Sequence, residues 1–409
     1  MQVGNVNVNI NGNAMQDAIL VAQGKKQGSM ISGAAMELVK RSADESYATL
    51  EDCLEACYKS RQLSRQATVN LAELSVSPED TLSLRLPNGN NARLTHYSLG
   101  QLVRRIGYNS LGLINRLPAQ LASDVINEGL RNIAIGSVGD TELNPWESDA
   151  IGGRPANVNG KLLWRENGVC TLDSITNASY GRFFDAELAE FAVKCRDQNN
   201  LCGLPTEGII RDDIKGSFLK GDRDCFIVLR DNNRRIFEKD ENGGLSRMLM
   251  LSNSEVESRP LAMQGLFYSY ICKNWNAWDA TEAFSATMRH SKNLRENFKP
   301  DDMLTAIKAF FEASPEKEEA FITSAKNKVL GATSQECIDT LLGLRLPMLG
   351  KKATKAVIEL AEIEEKRYGN PRAVWGIANS ITQQAQEAKF TNIRVALQDC
   401  AKEVFALAA

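Results

Sequence analysis

The side chains best suited to chemistry lie between residues 245 and 295. An apolar, strand-like run over residues 248–251 leads into a polar turn over residues 252–255, and an Arg289-His290 pair follows further along the chain. His290 is one of only two histidines. Basic, amide and aromatic side chains beside a strand are typical of a surface that holds a polyanion. They do not form the ligand set of a metal site or a nucleophile with its base, so we expect binding rather than catalysis.

The candidate nucleic-acid-binding residues share a basic, amide or aromatic side chain and lie in or beside predicted strands. They are Arg211, Lys215, Arg223, Arg230, Arg234, Arg235, Asn253, Lys273, Asn274, Trp275, Arg289 and His290, with Tyr270 as a further aromatic residue. The cations would contact phosphates, the aromatic rings would stack or pack beneath a groove, and the amides and His290 would hydrogen-bond phosphate or sugar. Residues 161–300 contain 20 Lys+Arg and 20 Asp+Glu, so an ordinary solvated sheet face explains the same composition.

A second basic stretch extends from Arg93 to Gln120. It contains Arg93, His96, Arg104, Arg105 and Arg116 and no acidic residue. This composition indicates a local positive patch in a chain whose net charge is −3. Two other interpretations remain open, namely a solvated face of a helical subdomain and a helix-turn-helix over residues 99–117.

Signals for catalysis are few. The chain has no G-x-x-x-x-G-K-[ST] motif. Acidic groups (Asp212 and Asp213 with Glu207, or Asp222 with Asp224) could hold magnesium for a nuclease, but such pairs more often mark turns. Cys53 and Cys57, four residues apart on a predicted helix, favour a packed helix face over zinc binding. We therefore expect no enzymatic activity, no cofactor and no metal.

The bulk composition is that of a soluble protein. The chain has 409 residues, of which 43% are hydrophobic and 24% charged. Nine cysteines without a C-x-x-C pair predict reduced thiols in a cytosolic compartment. No run approaches the roughly 18 apolar residues of a membrane span, and the N-terminus lacks the apolar core of a signal peptide.

The hydrophobic pattern predicts an α+β fold. We expect a central antiparallel sheet with β-hairpins and packing helices, a helical N-terminal region and an all-α C-terminal region. The predicted segments are an N-terminal strand and helical arm (1–75), a hairpin plus helical subdomain (76–140), a linker (141–160), an α+β core (161–300) and a helical C-terminal domain (301–409). Within the arm, residues 42–74 predict one long helix or a helical hairpin.

Several segments in order resemble a large phage- and plasmid-encoded family, domain of unknown function number 932. They are LTHYSLGQLVRRIGYNSLGLINRLP (94–118), LSNSEVESRP (251–260), CKNWN (272–276), MRHS (288–291) and NPRAVWGIANSITQQAQ (370–386). The resemblance covers roughly residues 80–390. It departs from the family at Glu257, where many members have a glycine or small residue. The resemblance implies a phage or mobile-element setting, in the cytoplasm of the infected bacterium, more firmly than an activity.

The predicted order of a hairpin, a helix, several antiparallel strands and a closing helix is also similar to single-strand annealing proteins of the Redβ, RecT and Erf type. That resemblance implies a homo-oligomeric ring or filament that binds single-stranded DNA and anneals it in recombination or replication, without catalysis and without a membrane. One alternative is a phage protein that binds or inhibits a host factor through the helical region 301–409. The other is a metal-dependent nuclease on the acidic groups.

Overall fold

The computed structural model describes residues 44–78, 82–108, 111–138, 159–203, 217–236, 244–269, 275–276, 284–388 and 390–408. Within these residues the chain forms two β-sheets and 13 α-helices, which confirms the α+β class. The predicted strand over residues 1–14 and nearly all of the predicted linker lie outside the described residues.

The elements are numbered here in chain order. The strands are β1 (Glu45–Tyr47), β2 (Ser64–Asn70), β3 (Val76–Ser77), β4 (Ser83–Arg85), β5 (Asn91–Leu94), β6 (Asn159–Asn167), β7 (Val169–Asn177), β8 (Leu201–Cys202), β9 (Phe218–Lys220), β10 (Cys225–Asp231), β11 (Leu245–Asn253), β12 (Leu261–Ser269), β13 (Trp275–Asn276) and β14 (Ser285–Met288). The helices are α1 (Leu50–Leu63), α2 (His96–Arg105), α3 (Leu111–Ile114), α4 (Ala119–Val138), α5 (Asp185–Asn199), α6 (Leu294–Asn297), α7 (Pro300–Glu312), α8 (Glu316–Asn327), α9 (Ser334–Gly343), α10 (Lys351–Ile363), α11 (Glu365–Tyr368), α12 (Val374–Gln386) and α13 (Thr391–Phe405).

The first sheet, sheet A, is antiparallel and has the order β1-β9-β10-β11-β12-β13, with β14 also pairing β12 and β8 also pairing β10. Its central strands are almost continuously apolar because both faces are covered. On one face Ile227, Leu249 and Met263 pack against α1, α5 and α7. Gly265 lies where α7 comes closest, since a Cβ there would stand 2.7 Å from the Phe310 ring. Sheet A is thus a buried layer.

The second sheet, sheet B, has the order β2-β6-β7-β5-β4-β3, and its β5–β7 pairing is parallel. The predicted β-hairpins are present in this sheet, since β4 pairs β5 and β6 pairs β7 in antiparallel fashion. Gly89 and Gly168 have φ values of +85° and +68°, which glycine adopts without steric cost. Leu94 and Leu162 face α2 and α4 in one apolar core. Sheet B draws its strands from the predicted arm, hairpin and core segments.

The prediction of one long helix or a helical hairpin over residues 42–74 is confirmed only for Leu50–Leu63, since residues 45–47 form β1. Residues 64–70 form the edge strand β2, which pairs along its whole length with β6. The sequence SRQATVN has no decisive local preference, and a partner about ninety-five residues later supplies the hydrogen bonds. The predicted antiparallel sheet corresponds to sheet A, and sheet B is a second, mixed sheet beside it.

The C-terminal region is helical from α7 to α13, as predicted, and surrounds its own apolar core. That core includes Phe267 of β12, so it is continuous with sheet A. A buried ion pair makes the same connection: Arg247 Nη2 of β11 donates to Glu318 Oε1 of α8 at 2.7 Å, and Nη1 donates to the Ala313 carbonyl at 2.7 Å. Among the described residues, no helix combines the length and the apolar character needed to cross a membrane.

Candidate functional site

The two sheets meet at a cluster of six charged side chains, here called the charged cluster: Arg165, Asp173, Arg182, Asp185, Lys220 and Glu255. None of the six is more than 19% exposed. They come from β6, β7, the segment before α5, α5 itself, β9 and the turn after β11. Three cations and three carboxylates balance, so the cluster is neutral when all six side chains are ionised.

Each carboxylate of the cluster is held by specific donors. Arg165 pairs with Asp173 at 2.7 Å and with Glu255. The other Glu255 oxygen accepts the backbone N–H of Asp185 at 2.8 Å. The Asp185 carboxylate accepts from Lys220 and, at 2.8 Å, from Asn253 Nδ2. The charges are therefore satisfied by one another, which is the condition for burying them.

The electrostatics of the cluster keep its cations charged. Burial lowers the pKa of Lys220, but the carboxylates of Asp185 and Glu255 raise it by more, so the net shift is upward. Burial raises the pKa of Glu255, but the charges of Lys220 and Arg165 together lower it by more, so the net shift is downward. Burial lowers the pKa of Arg182 to about 10. Burial, and then the nearby Glu255 charge, raise the pKa of Asp185 to about 7, so this carboxyl is partly protonated at neutral pH while Lys220 and Glu255 stay charged.

The turn over residues 254–258, here called the central turn, is fixed from three sides. Gln101 of α2 donates to the Val256 carbonyl at 2.8 Å, and Tyr180 Oη donates to the Ser254 carbonyl at 2.7 Å. Arg182 Nε donates to the Glu255 carbonyl at 2.8 Å. Glu257 has φ +70°, a left-handed conformation that costs a residue with a Cβ about 1 kcal/mol or more.

His290 joins this region from the segment after β14. Its Nδ1 donates to the Gly181 carbonyl at 3.0 Å, and the Gly181 N–H donates to the His290 carbonyl at 3.1 Å. The imidazole stacks on Tyr180 with ring centroids 4.7 Å apart. Burial lowers the pKa of His290, so the ring is neutral at neutral pH. A Cβ at position 181 would stand 1.9 Å from the Ser291 carbonyl oxygen, so glycine is required there.

Five cations lie on chain segments that contact the central turn or its neighbours Tyr180 and Gly181, and we call them the basic rim: Arg104, Arg105, Lys161, Arg223 and Arg289. The Arg223 guanidinium lies 4.8 Å from the Tyr97 ring centroid. Arg105 approaches Glu257 at 3.8 Å, and Lys161 Nζ donates to the Tyr180 carbonyl at 3.0 Å. Arg104 and Arg289 are exposed.

The basic rim is incompletely compensated. Glu257 and Asp222 are the carboxylates within ion-pair distance of Arg105 and Arg223. Arg104, Lys161 and Arg289 have no carboxylate partner among the residues that the structure describes. Burial and the nearby Arg182 charge lower the pKa of Lys161. A surface with surplus cations can accept an anion from solution.

A second group of reactive side chains lies behind the charged cluster. The sulfur atoms of Cys53, Cys57 and Cys225 all lie within 4.8 Å of one another, and all three residues are fully buried. We call this group the thiol cluster. Sequence reasoning missed it because Cys225 is about 170 residues from the helix that carries the other two.

The structure separates the predicted site residues. Arg223, Arg289 and His290 lie at the central turn, whereas Arg234 is exposed and donates to the Phe311 carbonyl at 3.2 Å beside α7. Arg235 is exposed next to it. Trp275 opens β13 and pairs with Tyr268. Arg211, Lys215, Tyr270, Lys273 and Asn274 lie outside the described residues, as do Glu207, Asp212 and Asp213.

Two of the residues predicted to contact nucleic acid, Asn253 and Arg230, are buried. Asn253 is fully buried and donates to the Phe183 carbonyl at 2.9 Å and to Asp185. Arg230 is 6% exposed, and its guanidinium contacts Asn232 at 3.0 Å and faces the Tyr268 ring. Both side chains are inaccessible to a surface-bound strand. Their polar groups form hydrogen bonds inside the protein. The sequence alone does not distinguish such buried polar residues from polar residues on an exposed strand.

The residues that sequence reasoning missed include Arg165, Asp173, Arg182 and Asp185 of the cluster and Lys161 of the rim. One signal was available: Arg182 and Asp185 bracket Phe183-Phe184. Charged residues around a strongly apolar pair are buried only if they are paired.

Three segments of the family resemblance meet here. Residues 94–118 supply Gln101 and Arg104, residues 251–260 supply the central turn, and residues 288–291 supply His290. Comparisons with protein-family models, with curated proteins and with solved structures returned no significant match.

Proposed function

We propose that this protein binds single-stranded DNA through the basic rim and acts without catalysing a reaction. The observation that supports this proposal is the surplus of cations from four separate chain segments around the central turn, with Arg104, Lys161 and Arg289 lacking carboxylate partners among the described residues. Phosphate contacts of this kind give affinity without sequence preference.

The buried charged cluster supports a scaffold role in this proposal. Its ions hold sheet A, sheet B and α5 in one arrangement, and they fix the central turn among the chain segments that carry the rim residues. A rigid scaffold keeps cations at fixed spacing, which lowers the entropic cost of binding a phosphate backbone. The resemblance to annealing proteins supports recombination or replication as the setting, and a homo-oligomer as the active form.

The test measures the fluorescence anisotropy of labelled single- and double-stranded oligonucleotides of equal length over a salt series. Wild type is expected to bind the single strand, with affinity that falls as salt rises. The double variant Arg104→Gln/Lys161→Gln is expected to bind roughly ten- to thirty-fold more weakly, with a salt slope smaller by roughly 1.4, because two phosphate contacts are lost.

The matched control is Lys355→Gln, which removes an exposed cation of α10 that pairs with Glu359 at 3.6 Å. It is expected to bind like wild type. Absence of binding at low salt, or binding that does not change with salt, would contradict the proposal. Capture of a host protein by a preparation free of nucleic acid would favour the alternative of a host-factor inhibitor.

A further inference from the structure

The thiol cluster has the composition of a metal site. Cys53 and Cys57 are separated by one turn of α1, so their side chains project from the same face of the helix. Cys225 is the first residue of β10 and reaches the same point from the sheet. All three are 0% exposed. Single free cysteines are common in protein cores, so the observation that indicates a ligand set is the convergence of three sulfur atoms at one point.

The spacing of the sulfurs suits one cation. Tetrahedral zinc with Zn–S bonds of about 2.3 Å sets ligand sulfurs about 3.8 Å apart. The three sulfurs here lie within 4.8 Å of one another, so a shift of less than about 1 Å in each pair would give that geometry. Among the described residues, no further His, Cys, Asp or Glu belongs to this group, so the protein would supply three thiolates and a water molecule enclosed with the ion would complete the tetrahedron.

The net charge that three thiolates and a metal ion would bring into the core differs between zinc and copper(I). Three thiolates around a divalent cation leave a single negative charge, and around a monovalent cation they leave two. One ammonium, that of Lys220, lies beside the cluster: Lys220 is the register partner of Cys225 across β9 and β10. Its charge acts on both Cys53 and Cys57. Because that ammonium already pairs with Asp185, the smaller residual charge of the zinc site favours zinc over copper(I) in this buried position.

We propose that Cys53, Cys57 and Cys225 bind one Zn²⁺ that joins α1 to sheet A. The site is structural, since its ligands are fully buried and the ion enters as the chain folds. It does not depend on the proposed DNA binding, because the thiol cluster is buried and the basic rim is at the surface.

The test is metal analysis by inductively coupled plasma mass spectrometry of full-length protein, purified with a thiol reductant and without chelator or metal-affinity resin. Wild type is expected to carry about one zinc per chain, and Cys225→Ser is expected to lose most of it. Cys195→Ser is the matched control, because Cys195 is equally buried in the same apolar core but is not part of the thiol cluster. It is expected to retain zinc.

A second measurement uses the wild-type chain alone, in case Cys225→Ser does not fold. Protein refolded with Co²⁺ is expected to show thiolate-to-cobalt charge-transfer absorption and the intense visible bands of a tetrahedral site. Wild-type protein with no zinc and no cobalt bands would overturn the proposal, as would equal zinc in wild type and a folded Cys225→Ser. Copper in place of zinc would overturn the assignment of the ion.

Discussion

The charged cluster and the basic rim both contain arginine and lysine side chains, but these cations are buried and paired in the cluster and largely unpaired in the rim. In the cluster, Arg165 and Lys220 each contact carboxylates and are almost removed from water. In the rim, Arg104 and Arg289 are exposed, with no carboxylate partner among the described residues. The comparison teaches that a cation's role follows from its pairing and burial, which residue type alone does not determine. The cluster should govern stability, and the rim should govern binding.

The largest effect is expected from Arg165→Met in the charged cluster. The substitution leaves Asp173 and Glu255 buried without their cation, and we expect it to lower the free energy of unfolding by about 3–5 kcal/mol. Denaturant unfolding measures the change. Arg131→Met is the control, since the exposed Arg131–Glu128 pair should contribute less than about 0.5 kcal/mol. Similar losses in the two variants would remove the distinction between buried and surface charges.

The next effect concerns acid and His96, which lies beneath the rim near Arg223. Burial, and then the Arg223 charge, lower the pKa of His96 to about 4. The ordinary value is about 6.5, so neutral His96 contributes its full stability above pH 6.5, and this contribution is lost as pH falls from 6.5 to 4. At pH 5 the loss should be about 2 kcal/mol relative to pH 7.5.

His96→Gln tests that prediction through unfolding at both pH values. The variant should lose less stability on acidification than wild type by about the same 2 kcal/mol, because it has no proton to take up. Identical acid sensitivity in the two proteins would show that His96 protonates as easily in the folded chain as in the unfolded one.

A smaller effect is expected at Glu257, where the two regions touch. Glu257→Gly removes the left-handed strain and a carboxylate from the rim, so it should stabilise the fold by about 1 kcal/mol. It should also strengthen single-stranded DNA binding, because Arg105 loses its 3.8 Å partner. Unfolding and anisotropy measure the two changes. Glu257→Ala, which removes the charge but keeps a Cβ, should improve binding alone.

The smallest effect is expected from Arg223→Lys. The charge is kept while the planar contact with Tyr97 is weakened, so stability should fall by about 0.5 kcal/mol. DNA affinity should stay within about twofold of wild type, because phosphate attraction needs only the charge. A tenfold loss of affinity would mean that the rim recognises its ligand through guanidinium geometry.

Much of the fold follows from local sequence. Asn-Gly turns mark both hairpins, with Gly89 and Gly168 in the left-handed conformation that such turns require. Periodic apolar residues mark α5, and the Pro and Gly breaks mark the helices after α7. These features depend on neighbours in the chain, so pattern reasoning finds them.

The remainder depends on distant partners. Ser64–Asn70 is a strand because β6 pairs with it, and Asn253 is buried because Asp185 and the Phe183 carbonyl accept its N–H groups. Cys225 becomes a candidate metal ligand only because α1 brings two more thiols close to it. Of the predicted site, Arg223, Arg289 and His290 are together at the central turn, while Arg230 and Asn253 are internal.

The strand β2 pairs with β6, which the ribosome synthesises about 100 residues later. At roughly 5–20 residues per second, about 100 residues take the ribosome some 5–20 s, so β2 waits that long for β6. A waiting strand is open to pairing with another chain. Its sequence carries Ser64, Arg65, Gln66, Thr68 and Asn70 and no large apolar side chain except Val69. This polar composition hides the strand β2 from pattern-based prediction. It also gives the nascent chain little apolar surface through which to aggregate before β6 is made.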